Sequence, residues 1–279
     1  NTSTPVDGQE ADIVLGQADL SSTNSNRGGS VAANTLNAPS SVFSDGTRIF
    51  VSDQNNYRVL IWNTTTPANG QDADVVLGQT DFVSANPNQG GSANSSTLYS
   101  AIGVFSSGSK IYVADQANAR VLIWNTVTPT NGQGADVVLG QADFDSAQSN
   151  RGGSASSSTL SNPAGVVADG SRIFVTDQGN HRVLIWNTVT PTNGQGADVV
   201  LGQADFDSAQ SNRGGGATMG TLSTPIGISV DSSRIFVAEA GNHRALIWNT
   251  LTPTNGQDAD VVLGQASAVS AGANRGGNA

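Results

Sequence analysis

The chain of 279 residues contains no cysteine, so disulfides and thiolate metal sites are excluded. Histidine occurs twice and lysine once, at Lys110, and two imidazoles are little material for a metal centre. Basic residues number 12 against 22 acidic ones, and a net charge of −10 argues against a basic face for nucleic acid. No apolar run approaches the roughly 18 residues of a membrane span. The chain opens at Asn1 with neither initiator methionine nor recognisable leader, as expected of a processed chain or a segment of a longer array. What is abundant is glycine, at 33 residues, together with Ser, Thr, Asn and Gln, while charged residues make up only 12%. That mixture favours turns and strands over solvated helices, and an all-β fold is expected.

An internal repeat dominates the sequence. ADIVLGQ ends at Gln17, and its copies ADVVLGQ end at Gln79, Gln141, Gln203 and Gln265, each step being 62 residues without insertion or deletion. Residues 125–153 recur unchanged at 187–215, the mark of recent duplication. In the clearest copy, PAGVVAD, SRIFVTD, HRVLIWN and ADVVLGQ read as four strands, with Asp169-Gly170 and Gly179-Asn180 supplying hairpin turns. The runs IFV and VLIW are apolar at consecutive positions, as in a sheet covered on both faces. Four-stranded sheets that repeat and cover one another are the blades of a β-propeller. Trp62, Trp124, Trp186 and Trp248 end the third strand of each period and are expected to fill the space between blades.

The stretches GSRIFVTDQGNHRVLIWN (170–187) and SSRIFVAEAGNHRALIWN (232–249) resemble NHL repeats, a pattern of apolar strand, Asp, Gly-Asn-His-Arg turn and second apolar strand. The resemblance implies a propeller. It covers 39–79, 101–141, 163–203 and 225–265, although the turns of the first two carry Asn55-Asn56-Tyr57-Arg58 and Ala117-Asn118-Ala119-Arg120, and the connectors, such as 142–162, are unusually long. The expected architecture is therefore a single four-bladed propeller over 1–279, with an N-terminal segment (1–38), those four blades and a C-terminal tail (266–279).

Four blades need 16 strands, yet the copy at Ala11–Gln17 makes a seventeenth, expected as an extra outer strand. It could pair within the chain or leave to pair with a neighbour. The tail ASAVSAGANRGGNA begins a further connector and stops, so both ends read as an interrupted repeat. A head-to-tail contact of this kind gives a ring or a fibre.

Chemical sites are sparse. Asp53, Asp115, Asp177 and Glu239 recur at one blade position, with Arg58, Arg120, Arg182 and Arg244 five residues later, and repetition around the array favours a structural turn and inter-blade role. NHL-like propellers include metal-dependent lyases, and related propellers are hydrolases, but the lyase zinc site uses several histidines. Here only His181 and His243 stand at equivalent turns, replaced elsewhere by Tyr57 and Ala119. Neither a catalytic residue nor a metal ligand is assigned, and no cofactor is expected. Asp143, Asp145, Asp205 and Asp207 in the loops offer oxygens suited to calcium, without EF-hand spacing or its terminal Glu. Phe82, Phe144 and Phe206 read as loop anchors, and Arg27, Arg151, Arg213 and Arg275 as a repeated loop contact. Sequons at Asn1, Asn63 and Asn94 decide nothing. The absence of cysteine, the single lysine and the uncharged polar surface suit an extracellular or cell-surface protein. The expected function is a non-catalytic extracellular scaffold partnering itself; the alternatives are a binding module for a glycan or protein, and a metal-dependent lyase or hydrolase.

Overall fold

Runs of β-branched and aromatic residues, broken by short turns at the same places in every period, fold as four antiparallel sheets of four strands each. In the computed structural model, which describes residues 7–273, there is no α-helix among the described residues. The first blade comprises β1 (Pro39–Ser44), β2 (Ile49–Asp53), β3 (Arg58–Trp62) and β4 (Val75–Leu77). The second comprises β5 (Ala101–Ser107), β6 (Lys110–Asp115), β7 (Arg120–Trp124) and β8 (Val137–Leu139). The third has β9 (Pro163–Ala168), β10 (Ile173–Asp177), β11 (Arg182–Trp186) and β12 (Val199–Leu201). The fourth has β13 (Pro225–Val230), β14 (Ile235–Glu239), β15 (Arg244–Trp248) and β16 (Val261–Leu263). Each sheet runs in sequence order, so the first strand is innermost and the fourth lies on the outer rim. The molecule is a four-bladed β-propeller.

The turn between the second and third strands differs from its reading as a Gly-Asn turn. Gln178–Asn180 forms a single 3-10 turn, and the left-handed residue is the next one, His181 (φ 54°), as are Tyr57, Ala119 and His243 in the other blades. The Asn at the end of that turn is buried and committed to a polar network described below.

Alternate residues of a blade face opposite neighbours. The trailing face of blade 1, with Phe50, Val59, Ile61 and Leu77, packs on the leading face of blade 2, with Val104, Ile111, Val113, Leu122, Trp124 and Val138. The same two faces join blades 2 and 3 and blades 3 and 4. Leu98, Leu160 and Leu222 from the long connectors add to each joint. At the inner strands the backbones come so close that a Cβ on Gly103 would collide with the Ala164 carbonyl oxygen and one on Gly165 would stand 2.9 Å from that of Ile226.

The fourth strand of each blade is clamped by the next. Val76 N–H donates to Asn131 Oδ1 (3.1 Å) and Val76 C=O accepts from Gly132 N–H (2.9 Å); Val138 with Asn193 and Gly194, and Val200 with Asn255 and Gly256, repeat this. The N-terminal copy at 11–17, expected as an outer strand, joins no ladder. It nevertheless takes an outer strand's place against blade 1: Val14 N–H donates to Asn69 Oδ1 (3.0 Å), its C=O accepts from Gly70 N–H (2.9 Å), and Leu15 packs on the cluster around Trp62 and Leu36.

Candidate functional site

The repeated acid–base pairs lie inside the molecule. Asp53–Arg58, Asp115–Arg120, Asp177–Arg182 and Glu239–Arg244 face one another across the second and third strands of each blade, and their charged groups are fully buried. In blade 3, Arg182 Nε donates to Asp177 Oδ2 (2.8 Å), Nη2 to the carbonyls of Ser156 and Thr159 (both 2.9 Å), and Nη1 to that of Phe206. Asp177 also accepts from Ser161 N–H (2.7 Å) and from Asn180 Nδ2 (2.7 Å). One guanidinium thus ties its own blade to the connector before it and the connector after it. Burial pushes the Asp53 and Asp177 carboxyls up from the usual carboxylate range, opposed by Arg58 and Arg182. With every donor of the cluster satisfied and no surface to meet a ligand, these residues organise the fold.

Sequence reasoning missed the asparagines that complete this network. Asn180 exchanges two amide hydrogen bonds with Asn150 (2.9 and 3.0 Å), and Asn56 with Asn26, Asn118 with Asn88 and Asn242 with Asn212 do the same. The signal was present as two asparagines 30 residues apart in every period.

Trp62, Trp124, Trp186 and Trp248 are fully buried, each indole N–H donating to the carbonyl of Gln71, Gln133, Gln195 or Gln257 at 2.9–3.0 Å. Arg27 and Arg151, both half-buried, and Arg213, which is exposed, donate to backbone carbonyls: Arg27 to Gln17 (3.1 Å) and Gly70 (3.0 Å), Arg151 to Gly194 (3.2 Å) and Arg213 to Gly256 (3.2 Å). Arg275 and the sequon at Asn1 lie outside the described residues. Asp143 and Asp205 cap their own turns, accepting from Ser146 N–H and Ser208 N–H (2.9 Å). His181 Nδ1 accepts from Thr224 N–H across the blade 3–blade 4 joint (3.0 Å), while His243 stands on the next blade's exposed turn. Among the described residues no group of three or more His, Asp or Glu could hold a metal ion.

What remains is at the two ends. The trailing face of blade 4 is the surface that blades 1–3 bury, yet it lies open: Leu263 is 52% exposed where Leu77, Leu139 and Leu201 are fully buried, and Phe236 is partly exposed. Gly227, the counterpart of Gly103 and Gly165, has only Ala238 Cβ within reach of an added methyl (3.4 Å). The leading face of blade 1 is open near the axis, with Val42 70% exposed where Val104 and Val166 are buried. Among the described residues, no apolar cluster joins blade 4 to blade 1, and the outward N–H and C=O of Val262 carry no clamp of the kind made by Val76, Val138 and Val200. The blade 4 half of the internal joint is therefore open among the described residues, while the blade 1 half is open only near the axis: Val51, Leu60, Trp62 and Val76 are buried under Leu15, Leu36 and Phe82.

Comparison with known proteins adds similarities of shape. No family model matches the chain, and no curated protein matches it in sequence. It is similar to a chain in the crystal structure of a nidogen/laminin complex, with a TM-score of 0.43 and 13% identity over 79% of this chain and 64% of that one. It is also similar to the computationally designed Ika8 protein (TM-score 0.44, 12% identity, 84% and 51% covered) and to Hsv2 of Kluyveromyces lactis (TM-score 0.42, 12% identity, 78% and 51% covered). The chain thus spans from about half to just under two thirds of the length of these structures.

Proposed function

We propose that the chain is a non-catalytic, NHL-like propeller module that serves as an extracellular scaffold and associates with further copies of itself end to end. The observation that carries this reading is the open trailing face of blade 4, which complements the leading face of blade 1, itself open near the axis at Val42. Leu263 and Phe236 are the counterparts of residues that, three times within the chain, pack on counterparts of Val42 and Ile49. A contact of trailing face on leading face is heterologous, and it closes into a ring or runs on as a filament according to its rotation. The outer edge of β16 has no strand partner among the described residues and adds its backbone groups to the same surface. Light scattering over a range of concentrations, with negative-stain imaging of the same samples, tests it. Masses rising in multiples of 28.3 kDa are expected, and a strictly monomeric chain up to its solubility limit overturns the reading.

A second reading, a binding module for a glycan or protein, draws on two surface concavities of about 440 and 410 Å³. They are lined by equivalent residues, among them Gln141, Asp145 and Arg151 in one and Gln203, Asp207 and Arg213 in the other. Oε1 of each Gln is buried and accepts no hydrogen bond, an acceptor that a water or a ligand hydroxyl approaching the site would satisfy. Glycan-array signal from monomeric protein that is lost in Arg151→Ala/Arg213→Ala would support it; a blank array with intact monomer removes the glycan form of it.

A further inference from the structure

Near-identical blades make the few positions that vary conspicuous, and several of them meet at one end of the array. The buried Arg, the paired Asn residues and the Trp recur in every blade. By contrast, the residue before the first strand is Ala38, Ser100, Asn162 or Thr224, and the residue after the buried acid is Gln54, Gln116, Gln178 or Ala240. Ala38, Ser100, Asn162 and Thr224 share a left-handed backbone, with φ of 51°, 93°, 51° and 53°. The fold thus sets that conformation and tolerates Ala in it, whereas a β-branched Thr is a costly choice there.

Around blade 3 these positions line an open concavity of about 460 Å³. Gln116 comes from blade 2, Asn162, Gln178, Gly179 and His181 from blade 3, and Thr224 from blade 4. Its volume falls among those of small-ligand sites, roughly 300–1,000 Å³. Gln116 Nε2 donates to Gln178 Oε1 (3.1 Å), and the row of glutamines stops at Ala240. Gln178 Nε2 and Gln116 Oε1 are therefore left without a partner among the described residues. His181 accepts the Thr224 N–H at Nδ1, which places the proton of the neutral ring on Nε2 and leaves that nitrogen a donor. Asn162 is exposed, and Gly179 stands where blades 1 and 2 carry Asn55 and Ala117, so no side chain fills the concavity from that turn.

No carboxylate, guanidinium or ammonium lines this surface, so an ion finds no countercharge there. Nothing aliphatic larger than the Thr224 methyl lines it either, so a lipid finds no cover. What it offers is a set of neutral donors and acceptors, which the hydroxyls of a sugar, each a donor and an acceptor, match. We propose that the concavity at this end of blade 3 is a binding site for a neutral pyranose, with Gln116 Oε1 accepting from one hydroxyl, Gln178 Nε2 donating to another and the Asn162 amide completing the set. The inference rests on the glycan form of the second reading and gives it a charge-free site, since no residue lining this concavity lines those at Arg151 and Arg213.

The probes are methyl α-glucopyranoside, methyl β-galactopyranoside and N-acetylglucosamine, each titrated onto the intact chain by saturation-transfer NMR. N-acetylneuraminic acid and glucosamine serve as charged comparators. Asn162→Ala and Gln178→Ala are the site variants; each copies a residue that another blade already carries, Ala38 or Ala240, and circular dichroism checks that both remain folded. A neutral probe is expected to bind, about fivefold more weakly in each single variant and not measurably in the double variant. Arg151→Ala/Arg213→Ala is expected to leave that binding unchanged. Silence from all three neutral probes up to their solubility limits overturns the site, as does binding unaltered in the double variant. Binding that is lost only in Arg151→Ala/Arg213→Ala moves the sugar to the connector concavities, so that the glycan reading stands and this site falls. Tighter binding of either charged comparator overturns the neutral class.

Discussion

Replacing Arg182 by alanine tests the claim that the buried pairs hold blades to connectors. The side chain is fully buried and donates to four acceptors: Asp177 Oδ2 and the carbonyls of Ser156, Thr159 and Phe206. Hydrogen bonds to a charged group are each worth about 1.5–3 kcal/mol when deleted, so a simple sum would approach the whole stability of a domain. Such terms are not additive within one network, and water entering the vacated space solvates part of what is left. Removing one partner of a buried ion pair costs about 3–5 kcal/mol, dominated by the stranded charge, here Asp177. In a chain of this size that corresponds to a fall in Tm of roughly 10 °C, taking about 2–4 °C per kcal/mol.

Thermal unfolding followed by far-UV circular dichroism and by Trp fluorescence reads this directly, since Trp186 ends the strand that Arg182 begins. Arg151→Ala is the control. Arg151 is only partly buried, its guanidinium donates only to backbone carbonyls, and its loss strands no buried carboxylate, so a shift of about 1 kcal/mol or less is expected. A shift for Arg182→Ala no larger than that of the control would refute the argument that the pair ties connectors to blades. Asp177→Asn in the Arg182→Ala background should restore part of the loss, because the stranded charge is removed while Ser161 N–H keeps an acceptor.

His181 gives a pH signature: burial holds its imidazole below the ordinary value of 6.5, against the opposing pull of Asp177, and its neutral Nδ1 accepts from Thr224 N–H. A group whose folded pKa is depressed in this way contributes fully above pH 6.5 and less as the unfolded chain takes up its proton below it. Between pH 7.5 and 5.5 the wild type should therefore lose more Tm than His181→Ala, in which the blade 2 counterpart Ala119 is copied; equal losses would show that the link to Thr224 carries no weight. Two glycines separate internal from external joints. Gly103→Ala drives a methyl into the Ala164 carbonyl and should cost about 1–3 kcal/mol of monomer stability, whereas Gly227→Ala should leave the monomer within about 0.5 kcal/mol yet weaken association. An association constant unchanged in Gly227→Ala would mean that the trailing face of blade 4 is not the contact.

The period, the four strands and the apolar faces were legible because each is repeated, and repetition turns a short pattern into a fold. The blade boundaries follow from runs such as IFV and RVLIW, whose consecutive apolar residues have no place in a one-sided sheet. Three features were not legible. The left-handed residue that ends the turn between the second and third strands is Tyr57, Ala119, His181 or His243, residues with no shared preference for that conformation, each following a buried Asn. The amide pairs, such as Asn150 with Asn180, were hidden because a perfect repeat makes all recurring residues equally conspicuous and so marks no partner. The backbone carbonyls that Arg27, Arg151 and Arg213 reach were hidden as well, because the consecutive left-handed residues at Asn26-Arg27, Asn150-Arg151 and Asn212-Arg213 that shape the loop are not marked by residue type.

The ends were the hardest to read, since every period specifies a joint with the next and none specifies where the joints stop. Their composition does, however, set the strength of a joint between copies. Blade 4 carries Ala245 where blades 1–3 carry Val59, Val121 and Val183, and Ser229 where they carry Phe43, Phe105 and Val167. At about 0.8 kcal/mol per buried CH₂, the Val-to-Ala difference alone removes roughly 1.6 kcal/mol from the external joint relative to an internal one. A joint made by the trailing face of blade 4 is thinner by that amount than the three inside the chain. That difference orders events on heating, because a joint weaker than those inside the chain and opposed by the entropy of association opens first. Assemblies should therefore separate in a concentration-dependent step below a concentration-independent unfolding of the blades. A single transition whose midpoint moves as a whole with concentration would show instead that the external joint is as strong as the internal ones, and that the substitutions at positions 229 and 245 do not weaken it.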